Sequence, residues 1–449
     1  MYKFILAIRY LVKRRISWLA LVAVALCVFI VIVVMTVMTG LVRDFKEKNH
    51  EFTGNCVVGT ESLTGFPYYE DFSKELGEED FIEAVSPVIK SYGLVSAAHS
   101  ERSIGVEIIG IDPVSFSGVT NFSGTLHYRE DNVEKAFEPE YDPNLPGCVL
   151  GIDLWLNRDA RGKYLFEPRP SRTALEVTCF PLTAKGALAK AGTELVNTKT
   201  FYFSDVSQSG LARVDGDVVY LPFEQAQVLC GMAGAVKRAG AIHIKFRPGI
   251  NLERGCDKVR TMWQKFVGAN AGAENAQLLK QVRVESWKEY RRETIAAMEK
   301  EQVMVTFMFA LVGITTVFIV FVVFYMIVSH KSKDIGILKS VGVSSGNVVG
   351  LFLYFAFLVG IFGSAMGTLS GWAFLKNING IEAWLYEHFG FQLWDRSIYA
   401  IGAIPDQISA KVLAVIIICA IAACLAGAFL PSRRASRMEP VESLQVSQL

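Results

Sequence analysis

Four long apolar runs divide the sequence. They occupy residues 16–42, 302–329, 348–375 and 412–430, and none carries an acidic residue. About 20 apolar residues in a helix span the hydrocarbon core of a bilayer, so each run predicts a membrane-crossing helix. The first run follows a basic arm, residues 1–15, with Lys3, Arg9, Lys13, Arg14 and Arg15. It is too long for a signal peptide and ends without an A-x-A-like cleavage site, which predicts an uncleaved first helix. The basic start, the stretch His330–Lys339 and the tail with Arg433, Arg434 and Arg437 are three positively charged flanks. Cytoplasmic flanks carry such charge, so four crossings place both termini in the cytoplasm.

The polar middle, residues 43–301, then lies outside. Alternating and β-branched stretches predict strands at Ser103–Asp112, Leu175–Phe180, Phe201–Val206, Asp217–Leu221 and Ala241–Phe246. Helical spacing predicts helices after Pro222 as far as Gln227 and over Leu252–Phe266. The fold class is therefore a membrane protein of four transmembrane α-helices with a large α+β periplasmic domain between the first and second. Pro181–Val196 separates two strands with small residues and lysines and predicts a projecting loop or hairpin. Arg283–Glu301 is charged, and its spacing predicts a helical stalk running into the second span. The third run holds Gly360, Gly363, Gly367 and Gly371, and Gly346 and Gly350 lie near its start. Small residues at such spacing let helices approach closely in lipid, for sliding or for subunit pairing. Residues 376–411 predict an outer loop with interfacial aromatics, and Pro431 is expected to end the fourth helix.

Between the second and third runs lies 330–347, where Ile335, Leu338 and Val341 alternate with His330, Lys331, Lys333, Asp334 and Lys339. That pattern predicts a short amphipathic helix on the cytoplasmic surface, a shape suited to being gripped by a soluble partner. The plainer alternative is a lysine-rich loop.

Composition narrows the chemistry. The 449 residues are 51% hydrophobic and 20% charged, with a net charge of +1, so no nucleic-acid partner is implied. Of the cysteines at 27, 56, 148, 179, 230, 256, 419 and 424, five lie in the polar middle without paired spacing, so no disulfide framework is predicted. No metal-binding motif occurs, and there is no P-loop. Gly342–Gly346 fits G-x-S-x-G, but it sits between a surface helix and a span, not after a sheet strand, so no catalytic residue is assigned. Spans without acidic groups argue against a proton relay. Work done by this chain must come from another.

Several stretches carry a family likeness: the opening FILAIRYLVKRRISWLALVAVALCVFIVIVVMTVMTG, the turn GVEIIGIDP, the segment KSKDIGILKSVGVSSGNV, IYAIGAIPDQIS before the last span, and the closing FLPSRRASRMEPVESLQ. They resemble the lipoprotein-releasing ABC transporter permeases of the LolC/LolE type, within the wider MacB/FtsX-like permease group. The resemblance implies two permease chains, this one with itself or a paralogue, assembled on a dimer of ABC ATPases. ATP and Mg would be held by those ATPases, with no cofactor in this chain. It implies extraction of lipoproteins from the outer leaflet of the inner membrane and delivery to a periplasmic chaperone. Lys331, Lys333, Asp334, Ile335, Ile337, Leu338 and Lys339 fall on the coupling motif that docks the ATPase. Met35, Met38, Met304, Phe307 and Met308 fall where acyl chains are held between the first and second helices. The loop with Pro181, Lys185 and Lys190 falls on a chaperone-binding hook, without the Pro- and Arg-rich sequence found there in the family. A MacB-like efflux permease and an FtsX-like regulator of a cell-wall hydrolase share the fold and remain alternatives.

Overall fold

The computed structural model describes residues 15–98, 102–158, 164–166, 170–188, 196–330, 337, 339–390 and 404–437. The chain divides into two compact units, a polar one within 44–296 and a helical one made of the remaining segments.

The polar unit is built on eleven strands: β1 Cys56–Gly59, β2 Phe66–Pro67, β3 Ile82–Ala97, β4 Ile104–Ile111, β5 Gly147–Gly151, β6 Ala174–Cys179, β7 Asn197–Ser207, β8 Val218–Pro222, β9 Arg238–Ala239, β10 Ala241–Phe246 and β11 Arg283–Ser286. β2 and β9 form a small separate pair, and the other nine strands form one sheet in the order β11-β1-β10-β3-β4-β8-β5-β7-β6. β3 is long enough to take two partners on one edge. Its first part pairs β10, and Gly93–Ala97 pairs β6. The second pairing closes β3, β4, β8, β5, β7 and β6 into a ring, which leaves those strands without a free edge. Gly93 is required at the closure, because a Cβ there would strike the Thr178 carbonyl of β6.

Large side chains fill this unit. Phe66, Phe72, Phe201, Phe203 and Tyr220 are fully buried, each contributing about 1.5–3 kcal/mol by burial. Trp263, from the helix Leu252–Ala269, lies edge-on to Phe66 and Phe72 at 5.5 and 4.8 Å. Asn251 caps that helix through the amides of Glu253 and Arg254. Asp112 does the same for Ser115 at the Asp-Pro turn after β4.

The helical unit contains four helices long and apolar enough to cross a membrane. They are numbered α1 Arg15–Glu51, α2 Arg292–His330, α3 Ser345–Phe389 and α4 Ala410–Arg437. α1 and α2 run on past the apolar stretches, and Phe52 and Ile295, at their polar ends, are buried in the polar unit.

Three expectations need correction. Arg283–Glu301 is not helical throughout: Arg283–Ser286 pairs with β1 as a strand, and Ser286 opens a capping box with Glu289. Edge pairing of four residues overrides the charged helical pattern there. Residues 376–389 are not loop but the end of α3, where Asn379 exchanges hydrogen bonds with the backbone of Ile404 at 2.9 and 3.3 Å. Pro431 does not end α4 but lies inside it. The backbone bond its ring forgoes is the one to Gly427, and Ser432 donates its hydroxyl to the Ala428 carbonyl at 2.6 Å one residue on.

Candidate functional site

The glycines of α3 have a specific partner within the chain. A Cβ on Gly363 would stand 2.8 Å from Val24 Cγ1, on Gly367 2.6 Å from the Ala25 carbonyl oxygen, and on Gly371 3.3 Å from Ile32 Cγ2. The stripe therefore seats α1 inside the same chain, and at these glycines the subunit-pairing expectation is replaced by an intrachain contact. Gly427 of α4 meets α2 in the same way, with the Val317 carbonyl 2.7 Å from its notional Cβ. Thr316 of α2 donates its hydroxyl to Cys27 Sγ of α1 at 2.9 Å.

With those contacts made, α2 turns a continuous apolar face outward. Met304, Phe307, Met308, Leu311 and Phe318 recur at helical spacing and are 51–69% exposed. Met35 and Met38 of α1 are half-buried. Three of the five acyl-site candidates thus belong to an open stripe, and the other two lie on the helix that Thr316 reaches.

The segment between α2 and α3 is described at Ile337 and from Lys339 on; Lys331, Lys333, Asp334, Ile335 and Leu338 lie outside the described residues. Lys339 Nζ donates to the carbonyl of Ser436 at 2.9 Å, and Ser345 Oγ donates to the same oxygen at 3.0 Å. That carbonyl is one of the last of α4, unsatisfied within its helix and at the negative end of its dipole, where a cation is favoured. Lys339 therefore tethers the segment to α4. Gly342, at φ +94°, donates to the Lys339 carbonyl and ends the turn. Ile337 and Val341, four residues apart, are 53% and 80% exposed and form one apolar edge.

The loop after β6 is a tight turn over Leu182–Leu188. Thr183 donates to the Ala187 carbonyl at 2.8 Å, and Gly186 takes φ +77°. Lys185 is exposed at its tip, Lys190 lies outside the described residues, and Pro181 is buried. A Cβ on Gly231 would stand 2.8 Å from Pro181 Cβ. Pro181 therefore belongs to the anchor of the loop and not to an exposed contact surface.

The same anchor contains a residue with no sequence signature. Arg238 is buried, and its guanidinium donates to the carbonyls of Thr64, Leu182 and Gly231 at 2.5, 3.0 and 2.7 Å. Burial pulls its pKa down. Two buried carboxylates serve loops elsewhere. Asp205 accepts from the amides of His127, Tyr128, Arg129 and Val206. Asp215 accepts from Ser209 and Gly210, and burial pushes its carboxyl up to about 6. Both are structural anion sites filled by the chain's own amides. Among the described residues no group of His, Cys, Asp and Glu is arranged to hold a metal.

Comparison with known proteins assigns both parts of the chain. The MacB-like periplasmic core domain matches residues 17–261, more than half of the sequence, and the C-terminal domain of FtsX-like permeases matches 306–440. The chain belongs to the MacB/FtsX-like permease family. It is an inner-membrane protein whose α+β unit is the family's periplasmic core domain. Along its whole length the permease is 22% identical to the lipoprotein-releasing system transmembrane protein LolC of Neisseria meningitidis serogroup B, covering 98% of each chain. To the protein of the same name from Xylella fastidiosa it is 21% identical, again over 98% of each. The solved periplasmic region of MacB from Actinobacillus actinomycetemcomitans aligns with 54% of this permease and 94% of that chain at 13% identity, with a TM-score of 0.30, too low to add to the family match.

Proposed function

We propose that this permease is the membrane subunit of an ABC transporter that lifts lipoproteins out of the outer leaflet of the inner membrane and passes them to a periplasmic chaperone. The observation that carries this reading is the end-to-end similarity to lipoprotein-releasing proteins, over 98% of both partners, across the spans as well as the polar domain. A resemblance limited to the polar domain would leave the cargo undefined.

The chain's own features supply three parts of such a machine. The exposed stripe of α2, with Met304, Phe307 and Met308, is an adaptable apolar surface beside α1, on which acyl chains can lie. Moving an acyl chain from lipid into water costs about 0.8 kcal/mol per CH₂, so cargo with two or three long chains needs such a surface along its way out. The Ile337–Val341 edge, with the sequence motif around Asp334, is the docking face for a separate ATPase that holds ATP and Mg. Lys339 passes a push on that edge to α4 through the Ser436 carbonyl. A second permease chain, a copy or a paralogue, completes the cleft, and both termini are cytoplasmic.

Depletion of the permease tests the reading. Fractionated membranes are expected to show outer-membrane lipoproteins retained in the inner membrane. Lipoproteins reaching the outer membrane at their normal level would reject it.

A further inference from the structure

The base of the Leu182–Leu188 turn contains two sulfurs at close range. Cys179 ends β6, two residues before Pro181, and Cys230 follows the short helix Phe223–Leu229. Their Sγ atoms lie 3.6 Å apart, both buried, although the residues are 51 positions apart in sequence. Three other contacts hold the same place. Arg238 bonds the Leu182 and Gly231 carbonyls, Asn197 donates its side-chain amide to the Leu229 carbonyl at 3.0 Å, and Pro181 packs on Gly231. A sulfur–sulfur bond is about 2.05 Å long, so an approach of about 1.5 Å, within reach of side-chain rotation, would join them.

We propose that Cys179 and Cys230 form a disulfide in the mature protein and so fix the base of the exposed turn to the body of the domain. The inference rests on the periplasmic placement of this domain, since that compartment is oxidising and the cytoplasm is not. The oxidant is a carrier protein in its disulfide form. The Cys179 thiolate attacks one carrier sulfur, a mixed disulfide forms, and the other carrier sulfur leaves as a thiolate. The Cys230 thiolate then attacks Cys179 Sγ and releases the carrier's second sulfur. Two electrons pass from the cysteine pair to the carrier, which ends as a dithiol carrying the two protons. Burial of both sulfurs places this exchange before the domain closes over them. In the closed domain the neighbouring Cys230 and Ser91, the latter 3.4 Å away, hold the Cys179 thiol below its usual pKa. Cys148, fully buried in β5, is pushed the other way by burial alone and serves as an internal reference that stays a thiol.

The test traps the redox state in cells. Cells making the full-length chain are quenched in acid, and the chain is denatured with N-ethylmaleimide, digested and analysed by mass spectrometry without reductant. The expected result is a linked peptide containing Cys179 and Cys230, loss of maleimide from both, and maleimide on Cys148. In a Cys230→Ala chain Cys179 should become maleimide-labelled. Maleimide on both cysteines of the natural chain, or a link from either to another cysteine, overturns the proposal. A Lys185→Cys chain probed in intact cells with a membrane-impermeant maleimide then assigns the failure. Labelling places the turn outside and condemns the sulfur geometry, whereas protection places it inside and takes the periplasmic reading down with the bond.

Discussion

The two units of this permease solve the same problem with opposite materials. The polar unit is held by bulk and by buried polar groups: Phe66, Phe72 and Tyr220 fill it, and Arg238, Asp205 and Asp215 tie its loops through carbonyls and amides. The helical unit is held by the absence of side chains. Gly363, Gly367 and Gly371 admit α1 and Gly427 admits α2, so that Met304, Phe307, Met308, Leu311 and Phe318 of α2 face outward while Phe324 packs on Phe355 of α3. In water, burying a phenylalanine is itself a driving force. In lipid it gains nothing over the acyl chains it displaces, so close backbone approach is what distinguishes a helix neighbour from a lipid. The helical unit can therefore leave a whole apolar face of α2 open at no cost in folding, and the proposed cargo surface uses that freedom.

The sharpest contrast should appear at Arg238. Arg238→Ala leaves three carbonyls in the interior without a donor and should destabilise the polar unit by about 3–5 kcal/mol, read as a lower unfolding midpoint of the purified permease. Arg238→Lys should recover only part of that, because one ammonium cannot reach all three oxygens in the guanidinium's geometry.

Next in size is a pH effect from His243. The ring is buried, its Nδ1 lies 2.9 Å from the Thr53 carbonyl, and burial lowers its pKa to about 4. Below about pH 6.5 the unfolded chain takes up a proton that the folded ring refuses until about pH 4. Stability from this residue is thus complete above pH 6.5 and falls as the pH drops toward 4, by on the order of 3 kcal/mol. Melting curves of His243→Phe against the natural chain should diverge at neutral pH and converge in acid. A constant difference between them would remove the histidine from the account.

A smaller effect is expected in the helical unit. Gly367→Val drives a branched side chain against the Ala25 carbonyl and should cost about 1–3 kcal/mol, with loss of the α1–α3 contact measurable by cysteine cross-linking of neighbouring positions. Unchanged cross-linking would mean that the glycines are not what seats α1. Smallest of all is Thr316→Val, which removes one bond to Cys27 and should cost less than about 1 kcal/mol, since helix-to-helix hydrogen bonds in membranes are individually weak.

The legibility of the sequence follows the same division. Uninterrupted apolar length marks a span whatever surrounds it, so all four apolar helices were predictable. Strand Ala241–Phe246 and the Leu252 start of its following helix also agree with the structure, because alternation and the Asn251 cap are local signals. β3 was not legible: Pro87 and Gly93 interrupt its pattern, and it is stabilised by three partner strands that no local window contains. β5 is five residues long with every one buried, so it shows no alternation. The glycine spacing announced a close contact but not which helix would fill it. Arg238 had no signature, because a buried cation satisfied by carbonyls is defined by the loops that converge on it. At Lys339 the basic character was visible, but its partner, a carbonyl 97 residues further on, was not.

The cargo surface is open to a direct measurement. A photo-reactive phenylalanine analogue is placed at Phe307, on the exposed stripe of α2, or at Val322, exposed at 55% on the same helix but toward its other end. The permease is then irradiated in membranes containing a triacylated lipoprotein. The account predicts lipoprotein adducts at Phe307, several-fold above those at Val322, that diminish when ATP is supplied to the assembled complex. Phospholipid adducts alone, equal at the two positions and indifferent to ATP, would contradict it.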